Sequence, residues 1–218
     1  MAAENTVFLR LAGPMQAWGT GSRLQLRRSD SFPSKSGLIG LILCAMGIGR
    51  EEAAPKAESL AGLRMGVRID RHGVSIWDYH TAGAGIGIRQ AKGGIKLTAS
   101  TKEPEAQLSR REYLCDASFL VALQGEPNLI GEVAAALQDP VWPVFLGRKS
   151  CVPSEPVFAG TGVFADLPAA LASHSLVVGG PVAAGAEETL EGFEEHRPGS
   201  PLPGDAVLVH DVPRTLKN

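Results

Sequence analysis

Cysteine is scarce in this sequence. The three present, Cys44, Cys115 and Cys151, sit among apolar neighbours and outside any CxxC or Cys/His spacing, which argues against a disulfide framework and against a zinc site. A reducing compartment fits, and no metal or cofactor is expected. Long apolar runs are missing as well: "LIGLILCAMGIG" (38–49) falls far short of the about 20 residues that span a bilayer. The N-terminus, with Glu4 ahead of Arg10, lacks the pattern of a secretory leader. These absences predict a soluble, cytoplasmic chain with no membrane contact. Excess positive charge is also lacking, since the 218 residues carry a net −2.

The distribution of charge is less bland than its sum. Residues 1–154 hold 18 Lys/Arg against 14 Asp/Glu, whereas 155–218 hold 3 against 9. Between residues 10 and 36 stand Arg10, Arg23, Arg27, Arg28 and Lys35 against Asp30 alone. A local field of that sign attracts polyanions even on a slightly acidic protein. With 44% hydrophobic residues, the chain has enough apolar material for a large core.

Periodicity outlines the elements. "TVFLRLAG" (6–13) reads as a strand broken by Gly13-Pro14. Ser34 or Ser36 is positioned to cap a buried helix over about 35–47, stopped by Gly47 and Gly49. "REEAAPKAE" (50–58) reads as a charged loop. In "LRMGVRID", Leu63, Met65, Val67 and Ile69 alternate with Arg64, Arg68 and Asp70, the pattern of a half-buried strand. The glycine-rich stretch 80–101 cannot fill a core and suggests an arm or hairpin. "RREYLCDASFLVALQG" (110–125) is the clearest strand, placing Arg111, Tyr113 and Cys115 on one face. "PNLIGEVAAALQDP" (127–140) puts Leu129, Ile130, Val133, Ala134 and Leu137 on one helical face. The order is βαβ-βαβ, a ferredoxin-like α+β arrangement that leaves one sheet face free, as in RNA-recognition modules.

Two phosphate-loop readings fail on spacing. "GAGIGIRQ" (83–90) follows no clean strand and opens no helix, and the stretch before Lys35-Ser36 lacks the glycines a Walker loop needs. Ser34, Lys35 and Ser36 admit a simpler seat, a helix N-terminus with two hydroxyls and an ammonium, or plain N-capping. In "LAGPMQAWG" the glycines and Pro14 make a sharp turn, while Trp18 is open to two readings: a stacking surface or a plug beneath the first helix. Asp78 and His80 in "WDYHTAG" are too few for a metal site.

Taken in order, "LRLAGPMQAWG", "FPSKSGLIGLILCAMGI", "DYHT", "SRREYLCDASF" and "FLGRKSC" resemble the CasD family, subunits of the type I-E CRISPR surveillance complex, Cascade. The resemblance covers residues 6–165. It implies an RNA-recognition-type domain over 1–154 with a protruding β-hairpin thumb at about 78–109. A small acidic, β-rich C-terminal extension would follow over 155–218. It further implies a non-catalytic cap on the 5′ handle of the CRISPR RNA, beside a backbone subunit and the large subunit, meeting target DNA only through the complex. RNA contacts would then come from Gly13, Pro14, Met15, Gln16, Trp18, Arg23, Arg27, Ser34, Lys35, Ser36, His80, Arg111, Tyr113, Arg148 and Lys149. The rival reading is a metal-independent endoribonuclease using Tyr79, His80 and Lys96, as related type I-C subunits do.

Overall fold

The computed structural model describes residues 5–19, 25–83, 86–90, 93–175 and 191–195; Arg23, among the expected contacts, lies outside them. In chain order the elements are β1 (Thr6–Ala12), β2 (Met15–Gln16), β3 (Leu26–Arg27), α1 (Lys35–Ala45), α2 (Ala53–Ala61), β4 (Arg64–Arg71) and β5 (Val74–Ala82). They continue with β6 (Gln107–Cys115), β7 (Ser118–Gln124), α3 (Pro127–Gln138), β8 (Phe158–Gly162), α4 (Leu167–Ala172) and β9 (Gly192–Glu194). Five strands form one antiparallel sheet in the order β8-β1-β7-β4-β9. A second sheet is built on β6, with β5 along one edge and β2 and β3 along the other.

Alternation along the central strands explains the main core. Val7, Leu9 and Leu11 of β1, Met65, Val67 and Ile69 of β4, and Phe119, Val121 and Leu123 of β7 point to one face. There they meet Leu38, Leu41 and Ile42 of α1 and Ile130, Val133 and Leu137 of α3. Ser34 caps α1 by accepting from the Gly37 amide at 3.3 Å, and the Glu126 carboxylate caps α3 through the Leu129 amide at 3.0 Å. Both helices lie where periodicity puts them.

The other face of this sheet is not open. Phe8, Leu120 and Ala122 pack against Leu167, Ala170 and Leu171 of α4, and the Phe8 ring meets Phe164 edge-on and His174 at 3.9 Å between centroids. Beside them Arg10, Arg68 and Asp70 are buried together: Asp70 takes Arg10 on Oδ2 and the Arg68 Nε on Oδ1 at 2.6 Å. Arg68 Nη1 also donates to the carbonyls of Leu171 and His174, tying the end of α4 to the sheet. The free, solvated face expected from the sequence is thus corrected, and β4 is buried on both sides.

Three further differences have plain causes. The stretch read as a charged loop forms α2, in which Pro55 is tolerated because a first-turn residue has no intrahelical N–H partner to lose. The single strand expected over 110–125 divides into β6 and β7, because Asp116 turns the chain at φ 57°. The described part of 155–218 joins the main sheet at both edges, β8 beside β1 and β9 beside β4. No described helix is long and apolar enough to cross a membrane.

Candidate nucleic-acid interface

The site grows from the second sheet. β5 and β6 pair over nine positions, Val74 opposite Cys115 through Ala82 opposite Gln107, and most of β5 is solvent-exposed. Register across the three strands places Asp78, Arg111 and Arg27 in one row. Onto that face comes the turn Phe145–Cys151, and the Leu146 carbonyl accepts from the Ala17 amide at 3.0 Å. Arg27, Arg111 and Arg148, with Ala17, Gly19 and Gly147, line an open concavity of about 430 Å³. Three arginines lining one shallow space give it the charge to attract an anion.

Arg148 is held in place as well as offered. Its Nη1 donates to the Glu112 carbonyl at 2.7 Å and its Nη2 to the Arg27 carbonyl at 3.1 Å. Its guanidinium lies 4.6 Å from the ring centre of Tyr113. Tyr113 is therefore a buried support for Arg148, not an exposed stacking surface. Arg111 Nε donates to Ser109 Oγ at 3.2 Å. Lys149, next along the turn, is exposed.

Gly147 makes this turn possible, with φ 98° and a position at which an added Cβ would stand 1.9 Å from the Ala17 carbonyl oxygen. Gly147→Ala is expected to cost about 1–3 kcal/mol from backbone strain, and to push Arg148 off Tyr113. At roughly 2–4 °C per kcal/mol for a chain of this size, differential scanning calorimetry should show a lower melting midpoint.

Of the loop Gly13–Trp18, Ala17 lines the concavity. Pro14 is exposed and Met15 half-buried, and Met15–Gln16 pair with Cys115 and Leu114. Gly13 lies under the Val152 carbonyl, 2.8 Å from where a Cβ would be. Gln16 is fully buried, its Nε2 donating to the Leu11 and Ala117 carbonyls at 3.0 and 2.9 Å. Its Oε1 accepts from Trp18 Nε1 at 2.9 Å, and Trp18 is 1% exposed. The stacking reading of Trp18 is corrected in favour of the plug, because a ring without accessible faces cannot take a base.

The expected seat at α1 is occupied from within. Ser34 caps the helix and lies 3.4 Å from Ser36 Oγ. Lys35 Nζ donates to the Ala61 carbonyl and to both oxygens of Glu195, each at 2.7 Å. Neither group joins the concavity formed by Arg27, Arg111 and Arg148. His80 stands farther out on the ribbon, 3.7 Å from Asp78 and half-exposed. Burial raises the thiol pKa of Cys151, and the same cause with the nearby Asp116 carboxylate raises that of Cys115, so neither is poised as a nucleophile. Among the described residues no cluster of His, Cys, Asp and Glu could hold a metal ion.

A family model described as CRISPR-associated protein (Cas_Cas5) matches residues 6–214. The chain belongs to this family. It is 36% identical over 184 residues to "CRISPR system Cascade subunit CasD" of Escherichia coli (strain K12), covering 79% of this chain and 78% of that one. Its fold is similar to a chain of a structure titled "CRISPR RNA-guided surveillance complex", with TM-score 0.60 and 35% identity over 70% of this chain. It spans 61% of the length of that chain. A second family structure, "Crystal structure of Cas protein", is similar at TM-score 0.54 and 39% identity, covering 76% of this chain and 69% of its own. The mixed α/β architecture with antiparallel sheets is therefore that of the family.

Proposed function

We propose that the chain is a non-catalytic subunit of a type I-E CRISPR RNA-guided surveillance complex, working in the cytoplasm and holding the repeat-derived 5′ handle of the CRISPR RNA. Its neighbours would be a backbone subunit and the large subunit, and target DNA would reach it only as part of the assembly. The observation that carries this reading is the convergence of Arg27, Arg111 and Arg148 on one open concavity. In a family whose relatives include a Cascade subunit, that is the chemistry for a folded-over RNA backbone. The order β1-α1-β4 and β7-α3-β8, with every pairing described in the main sheet antiparallel, supports the ferredoxin-like description, and the β5–β6 ribbon is the natural thumb.

The geometry disfavours the endoribonuclease. Tyr79 and His80 are consecutive on β5 and so face opposite ways, and Lys96 Nζ is paired with Glu105 at 2.9 Å. Repeat RNA incubated with the chain and EDTA is expected to stay intact, and cleavage at one defined position would overturn the non-catalytic assignment.

Arg27→Gln and Arg111→Gln together test the binding site. At low salt, single-stranded handle RNA should bind the full chain with a log–log salt slope that falls by about 1.4 in the double variant, because each phosphate neutralised on a single strand adds about 0.7 to that slope. Filter binding from about 50 to 200 mM salt reads this directly. An unchanged slope would remove the concavity from the interface.

A further inference from the structure

The ribbon has a second face that the guanidinium concavity does not use. Alternation sends Trp77 and Tyr79 of β5 to this side, with Arg110 directly across from Tyr79 and Leu26 in register with Arg110 on the next strand. Tyr79 is 66% exposed and Trp77 42%, large values for aromatic rings on a paired strand. The Arg110 guanidinium lies 5.4 Å from the Trp77 ring centre. Tyr79, Arg110, Leu108, Leu26 and Gln25 border a shallow hollow of about 300 Å³. Glu112, the acidic residue on this face, is spent on Ser75 Oγ and the Ser29 amide.

We propose that this face is a base-stacking platform for single-stranded RNA, with Tyr79 and Trp77 each receiving the flat side of an unpaired base and Arg110 meeting the phosphate between them. The proposal rests on the RNA-binding reading of the opposite face. Rings two residues apart on a strand are about 7 Å apart, roughly two base steps of about 3.4 Å. Bases stacked on aromatic side chains beside a cation are the sequence-tolerant mode of single-strand recognition. Continuity favours RNA over a protein partner. Arg110 and Arg111 are neighbours that point to opposite faces, as are Leu26 and Arg27, so among the described residues the two-residue strand β3 separates the concavity from this face.

The test compares Trp77→Ala, Tyr79→Ala and Arg111→Gln in the full chain, with single-stranded handle RNA and an RNA duplex of the same length as probes. Both aromatic variants should keep the wild-type melting midpoint, because the rings are exposed. Each should bind the single strand about 5- to 150-fold more weakly with an unchanged salt slope, and bind the duplex as the wild type does. Trp77→Phe and Tyr79→Phe should restore affinity. Normal single-strand affinity in both Ala variants, alongside a reduced slope in Arg111→Gln, would overturn the platform and leave the concavity standing. Loss of assembly with other complex subunits while RNA affinity is normal would also overturn it, assigning the face to a protein. A wild-type chain that binds neither probe would overturn both readings.

Discussion

Asp70→Asn is expected to lower the unfolding free energy by about 3–5 kcal/mol, the cost of removing one partner from a buried ion pair. The side chain of Asp70 is sealed from solvent between Arg10 and Arg68, themselves nearly buried. An amide fills the same volume but leaves two guanidiniums facing each other without a counter-charge. With a urea m-value of about 2–3 kcal/mol/M for a chain of this size, the unfolding midpoint should fall by about 1–2.5 M. Because Arg68 also clamps the carbonyls at the end of α4, the variant should lose protection of residues 163–175 against proteolysis before it unfolds globally. Arg10→Met in the Asp70→Asn background should recover part of the loss by deleting one orphaned charge. A loss below about 1 kcal/mol, the level of an exposed pair such as Lys56–Glu132, would mean that the triad is solvated and that α4 is not held by it.

The same triad shows why part of the fold is hidden in the sequence. Strict alternation in β4 identifies both faces correctly, yet it cannot say that the polar face is buried, because Arg10 and its carboxylate are 60 residues apart. Polar residues in alternation ordinarily mark solvent, and only the arrival of α4 and Phe164 from the far end of the chain reverses that. Lys35 repeats the pattern at the helix start, where its partner Glu195 lies 160 residues away. Elements whose signal is local are legible: β1, α1 and α3 carry their caps, breaks and apolar spacing within a dozen residues. The break between β6 and β7 is not, since neither Gly nor Pro marks it and a lone Asp116 adopts the left-handed conformation.

The candidate site divides in the same way. Charge points to Arg27, Arg111 and Arg148; strand register aligns Arg27 with Arg111, and the turn Phe145–Cys151 brings Arg148 to them through the carbonyls of Glu112 and Arg27. In "WDYHTAG" the residue types suit acid–base chemistry as well as base stacking, and only the period-2 spacing of a strand separates Trp77 and Tyr79 from Asp78 and His80. Trp18, a bulky aromatic in a turn, suggests an exposed surface, but a turn can fold back into the core. The partner that takes its indole proton, Gln16, is only two residues away, so that pairing is within reach of the sequence.

Trp18→Ala should therefore act on stability and leave RNA recognition alone. The ring lies beneath the start of α1, where a Cβ on Gly37 would stand 3.0 Å from the indole Cε3, so Gly37 has no side chain to fill the space left. Truncating a fully buried aromatic costs about 3–5 kcal/mol, and Gln16 Oε1 loses its donor in a dry site at about 1–3 kcal/mol more. Trp18→Phe should keep most of the packing and lose mainly the hydrogen bond. Denaturant titration separates the two variants. Handle-RNA affinity, measured at a temperature where Trp18→Ala is still folded, should match the wild type, whereas Trp77→Ala, far milder in stability, should weaken it. If Trp18→Phe instead kept full stability and lost RNA affinity, the indole would be a contact after all, and the loop would have to open to expose it.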